Sequence, residues 1–372
     1  MTTDADVAVA SAVSLADLER LASERMTPEA WDYVAGGAED EITLAENAAA
    51  FRRRRFVPRV LVDVSTPDTT TTLLGRTVDL PIGVAPVAAQ ALGHPDGELA
   101  TARAAANAGA MFCLSTVSSR SIEEVAAGVP AAAPRWFQLY VNESSRFTRR
   151  LIERAEAAGY EAIVVTVDLP VLGYREREKR RGWELNVRLG NFTGPEGEAL
   201  AGEAREPGGD VDLDRLLDLR HGGLNWDGLA AIQAWTELPI VLKGILHPDD
   251  ARLAVEHGAA AVWVSNHGGR QLDRSIASLD ALEAVVAAVG GRAEVYLDGG
   301  VRRGSDAVVA LALGARAVFA GRPFVFGLGA AGQAGAERAF AVLGEELGRS
   351  MVLLGARSLA ELRRELVLGP PG

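Results

Sequence analysis

A single cysteine, Cys113, stands among 372 residues, so an internal disulfide is impossible and the chain suits a reducing compartment. Basic side chains are in the minority, 38 Lys and Arg against 50 Asp and Glu, and a net charge of −12 argues against a nucleic-acid surface. No apolar run approaches the roughly 18 residues that a bilayer crossing requires. The opening MTTDADVAVA places acids where a secretory signal carries basic residues. These absences predict a cytoplasmic protein with neither a membrane nor a nucleic-acid partner. What is present is apolar: 48% of the residues, ample for a large core. The length exceeds an ordinary domain but suits a barrel with additions.

Along the chain, residues 14–50 read as helical. Ser14 and Asp17 form an N-terminal cap, and Leu15, Leu18 and Leu21 share one face. A second helix begins at Thr27-Pro28-Glu29, carries Trp31 and Tyr33, and ends at Gly36-Gly37. The charge run from Phe51 to Phe56 reads as a solvated or salt-bridged face. From residue 81 a repeat sets in. Apolar runs at Ile82–Ala85, Met111–Leu114, Trp136–Leu139, Ala162–Val167, Ile240–Leu242, Ala261–Val264, Glu294–Leu297 and Ala317–Ala320 alternate with mostly Ala-rich helical stretches. Eight strands alternating with helices predict a (β/α)8 barrel of the α/β class, with a doubly wound open sheet as the rival. The expected organisation is one domain: an N-terminal helical segment over 1–75, the barrel over 76–345, and a helical tail over 346–372. A Gly/Glu-rich excursion at about 175–225 interrupts the barrel after its fourth strand, with Trp183 and Trp226 near its ends as anchors.

Barrel chemistry sits at the C-terminal ends of the strands. The first strand ends at Pro86-Val87-Ala88, small groups that let a flat ligand lie against the backbone. After it come Ser115, then Gln138 and Tyr140, Thr166 and Asp168, and Lys243. The sixth strand runs into Ser265, His267 and Arg270. The last two end in Asp298-Gly299-Gly300-Val301-Arg302 and Gly321-Arg322. His267 and Arg270, three residues apart on a Gly-hinged turn, pair a base near neutral pH with a carboxylate clamp. Their substrate is expected to be an acid that gives up a proton. Gly-rich turns with Arg after strands seven and eight fit a phosphate. Together with uncharged hydrogen-bonders at Ser115, Gln138 and Thr166 they suit flavin mononucleotide, with Lys243 near its N1–C2=O edge. Lys243 is also open to two other readings, a barrel-core ion pair or a Schiff-base lysine. No metal site is expected.

The motifs SNHGGRQLD at 265–273, LKG at 242–244, QLY at 138–140, TVD at 166–168 and DGGVRRG at 298–304 together resemble the FMN-dependent 2-hydroxy-acid oxidases and dehydrogenases. The likeness runs from about Leu15 to Arg364, through AWDYVAGGAEDEITL. It implies the same barrel and FMN as cofactor. By the resemblance His267 is the base, oriented by Asp168. Arg270, Arg175 and Tyr33 hold the substrate carboxylate, and Tyr140 meets the hydroxyl. Lys243, Ala88, Ser115, Gln138, Thr166, Asp298, Gly299, Arg302, Gly321 and Arg322 match FMN positions, with Pro86, Val87, Ser265 and Gly300 beside them. It also implies a homotetramer and an (S)-2-hydroxy acid as substrate; the acidic stretch at 195–214 resembles no membrane-binding segment of the membrane-bound mandelate dehydrogenases, which puts oxygen ahead of a partner protein or quinone as acceptor.

One position departs from the glycolate oxidase pattern. Where that enzyme carries a Trp, this chain has Val117 in Ser115-Thr116-Val117. The space left predicts an aromatic substrate, mandelate or 4-hydroxymandelate. The alternatives are an oxidase of lactate or glycolate, a decarboxylating lactate monooxygenase, a Schiff-base aldolase using Lys243, and a non-catalytic phosphate-binding barrel.

Overall fold

The computed structural model of the chain describes residues 8–181, 187–192, 197 and 222–369. Most of the excursion expected at 175–225, Trp183 included, lies outside them. Three helices lead the described chain: α1 (Leu15–Arg25), α2 (Pro28–Ala35) and α3 (Ile42–Arg52). Ser14 and Asp17 close a full capping box on α1, whose Leu15, Leu18 and Leu21 are buried. Thr27 caps α2, with Pro28 in its first turn. Gly36 ends α2 as expected, but not through a left-handed turn, since its φ is −68°. A Cβ there would lie 2.5 Å from the Asp32 carbonyl oxygen, so glycine serves close approach instead. In the charge run, Arg53 and Arg54 both bind Asp280, at 2.7 and 2.8 Å.

The next strands form no part of the barrel wall. β1 (Arg55–Phe56) pairs antiparallel with the last strand, β12 (Val367–Leu368). β2 (Thr71–Leu73) and β3 (Arg76–Val78) make a hairpin turned by Leu74 and Gly75, both at positive φ. Within the segment expected to be helical, the strand-forming Thr run before Leu-Gly was the available signal for it. β4 (Ile82–Val84), β5 (Phe112–Leu114), β6 (Arg135–Leu139), β7 (Ile163–Thr166), β8 (Ile240–Ile245), β9 (Ala261–Val264), β10 (Glu294–Leu297) and β11 (Ala317–Ala320) then pair in parallel and close on themselves. The closed barrel removes the open-sheet rival. α4 (Glu98–Asn107), α5 (Ile122–Ala127), α6 (Ser145–Ala157), α7 (Glu176–Arg181), α8 (Trp226–Gln233), α9 (Pro248–Glu256), α10 (Ser278–Val289) and α11 (Gly304–Ala312) follow the strands. Trp226 opens α8 and stacks on His257 at 4.9 Å.

Helix α12 (Arg322–Leu354) is broken at Ala331 and Gly332, where the backbone leaves helical angles. Past Leu354 the segment expected as a helical tail runs through two single 3-10 turns into β12. No helix among the described residues is long and apolar enough to cross a membrane.

Candidate active site

His267 follows β9 with φ +59°, and Gly268 and Gly269 continue at +65° and +76°. The two glycines take up positive φ freely, whereas at His267 it is strained backbone that packing must hold in place. The packing comes from α3. A Cβ on Gly269 would lie 2.6 Å from the Leu44 amide nitrogen, and one on Gly300 2.2 Å from the Asn47 carbonyl oxygen. Asn47 and the buried Asn266 exchange two side-chain hydrogen bonds of 2.8 and 2.7 Å, locking the turn to the N-terminal segment. Sequence reading missed this pair, since neither asparagine bears reactive chemistry.

Behind the turn, His267 Nδ1 lies 2.9 Å from Asp168 Oδ1. A carboxylate there accepts the Nδ1 proton, so Nε2 carries the free lone pair. Burial pushes the His267 pKa below 6.5, outweighing the opposing pull of Asp168. The resting imidazole is therefore neutral and able to take a proton. Tyr140 Oη stands 3.4 Å from Nε2. Burial raises the Tyr140 pKa to about 12, so the phenol stays a donor.

Lys243 projects from β8 into the same space. Its Nζ lies 3.2 Å from Asp298 Oδ2 and donates to Ser265 Oγ at 3.0 Å, while Ser265 donates to Asp298 Oδ1 at 2.6 Å. Burial works against the ammonium, but the Asp298 and Asp168 charges outweigh it and raise the Lys243 pKa. A Schiff-base lysine needs a free amine; this one is a pinned cation, which removes the aldolase reading. Next to it runs a buried chain: Ser115 Oγ donates to Gln138 Oε1 at 3.2 Å, and Gln138 Nε2 to Thr166 Oγ1 at 3.0 Å.

Arg270 lies over the Tyr33 ring, 4.8 Å from its centroid, and donates Nη1 to the Gly36 carbonyl at 3.1 Å. Arg175 donates Nε to the Arg270 carbonyl at 3.3 Å. Between the two guanidinium groups sits Glu178, a residue sequence reading passed over because it sits in the charged stretch EREKRR.

All the expected site residues line one cavity except Asp168, Ser115, Gln138 and Ser265, which support lining residues from behind. Leu169 and Val117 line it too. The two arginines of the expected phosphate turns differ. Arg322 donates from all three nitrogens to carbonyls of Val34, Gly268 and Gly36, at 2.9, 2.9 and 2.7 Å. In this structure its guanidinium ties α2 to the His267 turn. Arg302 lies half-buried over the Phe326 ring, and its buried Nη1 has no hydrogen-bond partner among the described residues. A buried guanidinium nitrogen without a partner is costly unless an anion completes it. It stands beside Gly299, Gly300 and Gly321 on the cavity wall, which fits the phosphate end of FMN.

A closed parallel barrel with a His–Asp pair, two arginines, a pinned lysine and an arginine nitrogen lacking a partner fits a flavin-dependent oxidoreductase of hydroxy acids. Comparison with known proteins agrees. The FMN-dependent dehydrogenase family matches residues 22–368, and the chain belongs to it. L-lactate oxidase of Nostoc sp. is 48% identical over 359 residues, covering 95% of this chain and 98% of that protein. Glycolate oxidase of Spinacia oleracea is 46% identical over 350 residues, covering 94% and 93%. The crystal structure of mandelate oxidase with (S)-4-hydroxymandelic acid superposes with a TM-score of 0.88 at 43% identity, covering 95% of this chain and 98% of that one. The chemistry of that family, FMN-dependent oxidation of a 2-hydroxy acid, is what this site serves.

Proposed function

We propose that its substrate is an (S)-2-hydroxy acid with an aromatic side chain, mandelate or 4-hydroxymandelate, oxidised to the 2-oxo acid with oxygen as acceptor and hydrogen peroxide as product. The observation that carries this reading is Val117. It lines the cavity alongside Tyr140 and Leu169, where a larger side chain would take up the room for a phenyl ring. The mandelate oxidase likeness supports it, while the lactate and glycolate oxidase relatives favour a small aliphatic acid as the second reading.

The residues divide the work. Arg270, with Arg175 and Tyr33, takes the substrate carboxylate and so orients the α-carbon. His267 Nε2 removes a proton, and Asp168 steadies the imidazolium that results. Tyr140 donates a hydrogen bond to the substrate oxygen as it becomes a carbonyl. Arg302 would hold the FMN phosphate, the glycines at 299, 300 and 321 would give its backbone room, and Lys243 would face the ring. Bound FMN supplies the acceptor for two electrons. We infer in addition a cytoplasmic homotetramer, a reading supported by the resemblance and by the buried, unpaired Cys113.

An anaerobic spectrum tests the reaction. (S)-Mandelate should bleach the yellow protein, and air should restore the colour with release of peroxide. Bleaching without recovery would rule out oxygen, and faster turnover of lactate or glycolate than of mandelate would overturn the aromatic assignment. Light scattering at about four times the 39.2 kDa chain mass checks the tetramer.

A further inference from the structure

We propose that Glu178 is a positioning residue, whose carboxylate holds Arg175 and Arg270 as one preset fork for the substrate carboxylate. The inference rests on the clamp role given above to the two arginines and concerns what keeps them in place.

The three side chains are largely shielded from water, with 6% of Arg175, 14% of Arg270 and 12% of Glu178 exposed. Glu178 serves each arginine with a different oxygen: Oε1 lies 3.2 Å from Arg270 Nη2, and Oε2 lies 3.7 Å from Arg175 Nη1. Two guanidinium groups side by side in a poorly solvated pocket repel one another. On Arg175 burial and the charge of Arg270 both act against the cation, and the Glu178 charge opposes them. Without that counter-charge Arg175 would gain by swinging away.

The other edge of each group is held by main chain, Arg270 through the Gly36 carbonyl and Arg175 through the carbonyl of Arg270. Glu178 is itself fixed. Its helix, α7, is tied to the N-terminal segment by ion pairs of Arg177 with Glu41 and Arg181 with Asp32. The trio therefore carries one net positive charge in a set geometry, and a monocarboxylate neutralises it. The opposite role would be competition, with Glu178 masking the arginines until substrate displaces it.

Glu178→Gln in the FMN-loaded protein separates the two roles, assayed with a 2-hydroxy acid and with its primary amide. The expected result is a KM for the acid raised about tenfold, as one weakened charge-assisted hydrogen bond implies, with kcat within about twofold. The amide, which has no charge to clamp, should change little. Glu178→Asp, which keeps the charge, should restore most of the affinity for the acid. A lowered KM for the acid would establish competition and overturn the proposal, as would equal losses on acid and amide. Should the Gln variant not accumulate as soluble holoenzyme, the near-isosteric Glu178→Met carries the same expectations. Arg270→Lys guards the premise. If it leaves the preference for acid over amide intact, the clamp reading fails; if that preference collapses but survives Glu178→Gln, the positioning role alone fails.

Discussion

The two ends of the barrel are built from the same eight strands and could hardly differ more. At the N-terminal end Met111, Cys113, Trp136, Val164, Val241, Trp263, Tyr296 and Phe319 pack with Leu73 and Val78 of the β2–β3 hairpin, all buried. Trp263 and Phe319 meet at 4.0 Å, and Trp136 lies 5.3 Å from Tyr296. Side chains two residues apart on a strand face the same way. One such step along seven of the eight strands changes Cys113 to Ser115, Trp136 to Gln138, Val164 to Thr166 and Val241 to Lys243. Likewise Trp263 gives way to Ser265, Tyr296 to Asp298 and Phe319 to Gly321. The lower layer supplies apolar burial; the upper layer holds charges and strained turns that burial alone would not favour. Stability and chemistry are separated along the barrel axis by a step of two residues.

Substitutions at the two ends should therefore fail in different ways. The largest effect is expected at the top. His267→Gln should lower kcat by about 10³-fold or more while the protein stays yellow, since it removes the base and leaves the cofactor wall alone. In the unaltered enzyme the acid limb of kcat/KM should fall below 6.5, because burial lowers the His267 pKa and the neutral imidazole is the active form. A limb above 6.5 would break that assignment. At the bottom, Leu73→Ala should cost about 2–4 kcal/mol in denaturant unfolding with kcat unchanged. A loss of turnover there would show that the two layers are not independent. Arg302→Gln should weaken FMN retention about 10- to 100-fold, read from flavin fluorescence on dilution, as expected for a lost charged hydrogen bond. The smallest change belongs to Val117→Trp, which should shift the preference from mandelate towards glycolate by about tenfold in kcat/KM.

The barrel was legible because each buried parallel strand is a short apolar run, and the observed β9, β10 and β11 coincide with the runs read from sequence. The strand-end residues were legible because reactive types recur at one end of those runs. What escaped is what depends on contacts between distant segments. The hairpin at 71–78 carries no clear alternation, and its purpose, closing the barrel floor, exists only in the assembled fold. Glu178 was passed over because its approach to Arg270 is tertiary and it lies at the start of the stretch read as an excursion. The Gly-Arg pattern set Arg322 on the cavity wall, but the carbonyls it binds in α2 and the His267 turn are tertiary contacts that a local motif cannot show.

That tie has a consequence for how the molecule is made. Asn47 meets Asn266 across 219 residues of chain, and Arg322 reaches Val34 across 288. The N-terminal helices leave the ribosome first, yet the turn they brace and the arginine that fastens it are synthesised far later. Contacts of such long range close slowly, because the loop entropy must be overcome before they form. A nascent chain short of β11 has neither Arg322 nor a closed barrel. The flavin pocket is thus among the last parts to mature, and a chain stalled before residue 322 is expected to emerge without a yellow colour.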